Sequence, residues 1–497
     1  MLFASGAAAL DVKVKDPAGT ENADGLTDKQ LAIQRWFAEL TFLNTKGDGW
    51  NMWYRDDKQL GLDSYRYSLA FMAYAAGAMV YKTPAYTEVT EKILDDSFQR
   101  MIDRRVWDFI KVYWDDDPHF PDPVAYENIM YSGHVAQILS LYESISGKMK
   151  YSKKGWVFAW DDDTIIHYTG ARLMQAMYGQ IVSDPTGGIP CEPDTIFIIC
   201  NDHPHNAFHL YDAMHGTHFA DLDEKWRAWM EKNGKLPQVK GKAYLKISYL
   251  RDRGMWTTGF GTPGSDGWAL AWMPPWTSNL NFVCDGWKVM YDNKLWRKHD
   301  ASGGQYLMAD AVSNMFGVDD YSGTAFYPLV EVQCISKERP RTPLVFRYFE
   351  KEFGTFADLD KDGFKESYYY DTEARTRLWV TANLANAMVV RGLELRHMYR
   401  SPFFQEHRGE PKLEHAPYPD VLVKKAAFDK KTKTLSFTVL KGKARPAKGA
   451  QMICSGISAV KSVSRGGKPF KDYKLKDGSL TITADIDKES SFVVAIK

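Results

Sequence analysis

Apolar residues recur at helical spacing through most of this chain. At the Thr27-Asp28-Lys29-Gln30 start, a Thr with a Gln three residues on has the form of a capping box, and Leu31, Trp36, Phe37 and Leu40 then share one face. The same period predicts helices over residues 64–82, 87–106, 127–146, 162–182, 200–214, 219–232, 268–273 onward, 281–296, 304–316, 321–333 and 372–398. Breaker clusters such as Asp115-Asp116-Asp117-Pro118 and Pro185-Thr186-Gly187-Gly188 separate them. No convincing strand pattern stands between these helices. Helical hairpins joined by alternating short and long loops suit an α/α toroid, (α/α)6-barrel-like, whose central cavity is a natural ligand site. After about residue 415 the period becomes two. Leu435-Ser436-Phe437-Thr438-Val439 and Leu480-Thr481-Ile482-Thr483-Ala484 alternate, and Val493-Val494-Ala495-Ile496 reads as a last strand. The expected organisation is a flexible N-terminal arm (1–26), a mainly α catalytic body (27–414) and a small β-sandwich-like module (415–497).

Lys plus Arg and Asp plus Glu both number 63, so no net field draws the chain to nucleic acid. No run of about 18 apolar residues occurs, so no membrane span is expected. Leu2 to Leu10 resembles the tail of a secretory h-region without its basic flank, which suggests a periplasmic or secreted protein. The five cysteines are odd in number and widely spread, so they form no disulfide framework and at least one is unpaired within the chain. Sixteen tryptophans exceed what a core strictly needs, and some of them suit the wall of an apolar ligand site.

Reactive side chains concentrate in one stretch. Glu127-Asn128-Ile129-Met130-Tyr131-Ser132-Gly133-His134 is followed by Cys191-Glu192-Pro193-Asp194 and then Cys200-Asn201. A histidine, two thiols and a carboxylate can move protons or trap a substrate covalently. Each also has a plainer reading: a hydrogen-bonded core histidine, buried thiols or a disulfide, a carboxylate answering an arginine. His205 and His209, at i and i+4, have metal-ligand spacing, although a remodelled pocket wall suits them better. Asp358-Leu359-Asp360-Lys361-Asp362-Gly363 copies the start of a calcium loop, but the twelfth position is Tyr369 rather than Glu.

These motifs, with Tyr67-Ser68-Leu69-Ala70-Phe71, Ala73-Tyr74, Tyr211-Asp212 and His215-Gly216-Thr217, follow one another in an order and spacing that resemble the linalool dehydratase/isomerases. The resemblance is strongest from Arg105 to Thr217 and covers residues 30 to 290. It implies an α/α toroid, a homo-oligomeric ring (a pentamer is one candidate) and an active site at the subunit boundary. It also implies cofactor-free chemistry on a small hydrophobic allylic alcohol: loss of water to a diene and a shift of the hydroxyl. Catalytic roles then fall on His134, Cys191, Glu192 and Cys200, with Asp48 and Tyr54 reaching a neighbouring subunit's pocket. Trp50, Trp53, Tyr67, His205, His209 and Trp268 are the expected substrate contacts, and no metal ligand is implied. Two departures concern the substrate: Gly264 stands where the family carries a pocket tyrosine, and Trp156–Asp163 and Trp272–Trp276 are insertions. A toroidal carbohydrate hydrolase or lyase and a non-catalytic binder of hydrophobic ligands are the alternatives. Paired acids such as Asp161-Asp162 would suit the former.

Overall fold

The structure, a computed structural model, describes residues 25–53, 59–61, 64–236, 243–257, 263–292, 296–301, 304–309, 322–335, 341–369 and 378–497. Twelve helices carry the body: α1 (Asp28–Leu40), α2 (Tyr65–Met79), α3 (Glu88–Met101), α4 (Ile129–Ser146), α5 (Gly170–Ser183), α6 (Asp202–His215), α7 (Asp223–Asn233), α8 (Pro263–Trp272), α9 (Leu280–Tyr291), α10 (Tyr327–Cys334), α11 (Thr342–Phe353) and α12 (Leu378–Val389). The expected box at the start of α1 is present: Thr27 Oγ1 accepts from Gln30 N, and Gln30 Oε1 accepts from Thr27 N at 2.8 Å.

Helices of even number are buried around nearly their whole circumference. Every residue of α2 and α12 is buried, and so is α4 from Ile129 to Ile145. Odd-numbered helices such as α3 and α5 bury one stripe and leave the other face to water, whereas α1 is buried from Gln30 to Leu40. The pairs α2–α4, α4–α6, α6–α8, α8–α10, α10–α12 and α12–α2 all pack together, so the six inner helices close a ring inside the outer set. Sequence order alternates outer and inner, as helical hairpins require.

Strands between the helices depart from expectation. β1 (Trp156–Ala159) pairs with β2 (Ile165–Tyr168), so the predicted helix over 162–182 begins only at Gly170, behind the Thr169 cap. β3 (Thr195–Phe197), β4 (Ser248–Leu250) and β5 (Met255–Trp256) form a small sheet, and β6 (Trp296–Ala301) pairs with β7 (Gly304–Ala309) where a helix over 304–316 was expected. The described part of that span is a hairpin strand, and its backbone bonds go to a partner that periodicity cannot reveal. β8 (Gly354–Ala357) and β9 (Glu366–Tyr369) flank the aspartate-rich loop.

The C-terminal module has two antiparallel sheets. One is ordered β10 (Lys412–His415), β13 (Ala447–Ser455), β17 (Ser479–Ile486), β16 (Tyr473–Lys476). The other runs β11 (Val421–Asp429), β12 (Thr434–Lys441), β18 (Ser490–Ile496), β14 (Val460–Arg465), β15 (Lys468–Pro469). Arg35, fully buried in α1, ties this module to the body. It donates to Asp360 and Asp362 at 2.8 and 2.7 Å and reaches the carbonyls of Pro419 and Gly442. Carboxylate oxygens of Asp358, Asp360 and Asp362 lie within 4.8 Å of one another, and a cation from the chain itself serves two of them. Cys284 and Cys334 are disulfide-bonded between α9 and α10, while Cys191, Cys200 and Cys454 are free and buried.

Candidate active site

The site is assembled where α2, α4 and α6 meet the loop before β3. Glu127 and Asn128 have positive φ (51° and 56°), an uncommon pair that turns the chain sharply into α4. Glu127 is buried and its carboxylate is committed. Trp114 Nε1 donates to Oε2 at 3.0 Å, and Arg251 donates to Oε1 at 2.6 Å while binding Asp194 at 2.6 Å. Thus the first motif clamps the second: the Cys191-Glu192-Pro193-Asp194 turn is pinned to the start of α4. Asn201 completes the clamp, accepting from Ile189 N at 2.8 Å and donating to the carbonyls of Ile189 and Phe197. Its role is positional.

Gly133 sets the α4–α6 crossing. A Cβ there would stand 3.0 Å from Pro204 Cδ and 3.4 Å from His203 Cβ. Without it, the His134 and His203 rings reach a centroid separation of 4.0 Å. Tyr74 hydroxyl lies 2.8 Å from His134 Nδ1. Tyr67 meets His134 and Trp268 edge-on, both at 5.5 Å, and Trp268 stacks on Phe326 at 5.0 Å. Arg66, buried beside them, lies over the Tyr67 and Phe109 rings at 4.6 and 4.2 Å and donates to the Gln59 carbonyl.

Electrostatics shows which groups share this space. Burial raises the Tyr67 hydroxyl well above its ordinary value; Arg66 opposes the rise, and Cys200, Glu192 and Cys191 add to it. Burial, then the adjoining Cys200 thiol, holds the Cys191 thiol well above its usual range. Burial raises the Glu192 carboxyl to about 7 against the pull of Arg66, and its Oε2 is buried without a hydrogen-bond partner. Burial, His203 and Arg66 keep His134 far below the ordinary imidazole value. At neutral pH the arrangement therefore offers a neutral imidazole, a neutral Cys191 thiol and a carboxyl close to half-protonated, walled by aromatic rings.

Tyr67 thus adjoins His134 and Trp268 through ring contacts and Cys191, Glu192 and Cys200 electrostatically. The other expected residues stand elsewhere. His205 and His209 do not join the cluster; they bind the two oxygens of Asp223 at 2.7 and 2.6 Å, and His205 stacks on Trp276 at 4.8 Å. They share the α6 face turned toward α7, about 200° around the helix from His203 at 100° per residue. Trp50 and Trp53 pack on Tyr65 and under Arg100, and Trp53 Nε1 donates to the Leu40 carbonyl, so they anchor their own loop rather than line this cluster. Asp48 is exposed, accepts from Arg105 at 2.6 Å and caps Trp50 N. Tyr54 lies outside the described residues. Sequence reasoning missed Arg66, Tyr74, Gln137 and His203; the one signal for His203 was its place among five histidines within residues 203–218.

A family model described as linalool dehydratase/isomerase matches residues 66–332, more than half of the chain. Among solved structures, the GH76A alpha-1,6-mannanase from Salegentibacter sp. HEL1_6 is 12% identical, with 75% of this chain and 100% of that chain covered and a TM-score of 0.41. The C. acetobutylicum ATCC 824 glycoside hydrolase from family 105 is 13% identical, with 72% and 98% covered and a TM-score of 0.40. A family 76 glycoside hydrolase from a bovine Bacteroides thetaiotaomicron strain is 10% identical, with 73% and 77% covered and a TM-score of 0.43. At this level the likenesses carry no argument about chemistry.

Proposed function

Because the chain belongs to the linalool dehydratase/isomerase family, we propose that it is a lyase/isomerase acting on an allylic terpene alcohol inside an α/α toroid. The observation that supports this reading best is Glu192: a buried carboxyl raised to about 7, with an unpartnered oxygen, set among thiols, a neutral imidazole and aromatic rings. Hydroxide is a poor leaving group. Protonated Glu192 supplies the proton that lets the C–O bond break as water departs, and placed acids of this kind contribute about 10²–10⁴-fold. The allylic cation left behind is sheltered by Tyr67 and Trp268, whose ring faces favour positive charge. Transfer of a proton from the carbon next to the cation to the Glu192 carboxylate gives the diene and restores the acid. Return of water at the other allylic carbon, with Glu192 carboxylate taking back the proton, shifts the hydroxyl.

The pathway is acid/base rather than covalent. The Cys191 thiol, held well above its usual range, is a poor nucleophile at neutral pH, and for either cysteine a tertiary carbon is a crowded target. Asp48, exposed on its loop, is available to a neighbouring subunit, and we assign it with Tyr54 to that subunit's pocket in a ring-shaped oligomer. Incubation with linalool, geraniol and a panel of sugar oligomers, read by volatile analysis and reducing-end assay, tests the reading. Formation of a terpene diene or of the isomeric alcohol is expected. New reducing ends without a diene would replace it with the carbohydrate-active alternative.

A further inference from the structure

His203 has no role in the reaction above, yet it is built into the same space. Its ring is 4.0 Å from that of His134 and is enclosed by Phe71, Tyr74 and Trp272 at 5.9, 5.7 and 5.9 Å, so it stands where α2, α4, α6 and α8 converge. Both imidazoles are fully buried, and Nε2 of each has no hydrogen-bond partner. An orphaned buried polar atom is costly, and two side by side call for a shared partner.

The bonds at Nδ1 settle which nitrogen gives and which accepts. Gln137 donates Nε2 to the Tyr399 hydroxyl at 2.5 Å, which turns its Oε1 toward His203 Nδ1 at 2.7 Å. That oxygen only accepts, so Nδ1 of His203 carries the proton and Nε2 presents a bare lone pair. On the other ring, His134 Nδ1 lies 2.8 Å from the Tyr74 hydroxyl, and with that hydroxyl as donor the His134 proton sits on Nε2. The two packed rings therefore carry one orphan N–H and one orphan lone pair between them.

A hydroxyl, like a water, donates and accepts at one atom, whereas a carboxylate only accepts and an ammonium only donates; an alcohol entering the site brings that oxygen with it. Two bonds of about 2.8 Å to one oxygen span up to about 5.6 Å, within reach of rings set 4.0 Å apart. We propose that His203 and His134 form a hydroxyl receptor: the oxygen of the bound alcohol accepts from His134 Nε2 and donates to His203 Nε2. The proposal rests on the reading of the substrate as an alcohol, and adds His203 as the residue that orients its hydroxyl. Burial keeps His203 down at about 3, so the pair holds the hydroxyl without protonating it and leaves that step to Glu192. Gly133 is the residue whose missing side chain lets the two rings meet.

Equilibrium binding of linalool and of the hydrocarbon that lacks its hydroxyl, measured by calorimetry on wild type, His203→Phe and His203→Gln, tests this without requiring turnover. Wild type should prefer the alcohol by about ten-fold or more, as expected when a buried site is built to pair a hydroxyl. His203→Phe should lower that preference about ten-fold while leaving hydrocarbon affinity unchanged; His203→Gln, which keeps an acceptor at the Nε2 position, should retain most of it. His203→Met is read in the same way where the Phe variant does not fold. An unchanged preference in the Phe or Met variant, or an equal loss of both ligands, overturns the receptor. A His203-dependent preference in a protein that forms no diene and shifts no hydroxyl keeps the receptor and removes the proposed reaction. Turnover by a wild type that binds both ligands alike does the reverse.

Discussion

Replacing Glu192 by Gln should reverse sign between stability and activity. The carboxyl is raised from 4.5 to about 7 by burial, which corresponds to about 3 kcal/mol between its two protonation states. The folded chain holds this proton up to about pH 7, whereas the unfolded chain releases it near 4.5. Between those values the folded state binds more protons, so this group lowers stability as pH rises through the window. Above pH 7 wild type carries the full penalty of a buried carboxylate; Gln, of the same shape and always neutral, carries none. Glu192→Gln should therefore match wild type near pH 4.5 and exceed it by up to about 3 kcal/mol at pH 8. Asp266 and Glu366, also raised to about 7 by burial, titrate in both proteins and cancel in the difference. Urea unfolding of both proteins from pH 4.5 to 8.5 gives the difference curve directly. Turnover should move the other way: wild-type kcat falls as pH rises through 7, and the amide lowers it about 10²–10⁴-fold because it cannot deliver a proton. Parallel stability profiles, or an amide variant with wild-type turnover, would refute the assignment.

Other expectations follow from the same geometry. Cys191→Ala should retain most activity while Asp48→Asn loses most of it; a mass increment of substrate minus water on the peptide holding Cys191 or Cys200 would instead show a covalent path. Arg251→Met strips buried Glu127 of its cation and should cost about 3 kcal/mol in urea unfolding, with lost activity as the Cys191–Asp194 turn loosens. Gly133→Val drives a methyl toward Pro204 and should cost about 1–3 kcal/mol, measured the same way, with weaker alcohol binding as the imidazoles part.

The fold was legible where burial imposed a period. Helices that bury one stripe, such as α3, and alternating strands such as β12 show it in their spacing, while α2 and α12, buried all round, are marked by apolar runs too long for a strand. The hairpins β1–β2 and β6–β7 were not legible, because segments of four to six residues are too short to establish a period, β6 being mostly charged, and only the partner decides. In the site, His134, Cys191, Glu192 and Cys200, singled out by motif order, all adjoin Tyr67. Motif reading did not separate reactive residues from those that hold them: Glu127 and Asn201 proved to be clamps, through partners (Arg251, Ile189) that are distant in sequence or contacted through the backbone. The i, i+4 spacing drew attention to His205 and His209, whereas the imidazole on the ring-facing side of α6 is His203.

In the reaction proposed, an allylic C–O bond is broken and remade with water at the Glu192 cluster. Incubation of linalool in water enriched in ¹⁸O, followed by mass spectrometry of the recovered and isomerised alcohols, tests it most directly. A two-dalton gain in both alcohols, an unlabelled diene, and loss of all three signals in Glu192→Gln are expected. Unlabelled alcohol and no diene from a folded, alcohol-binding protein would contradict it.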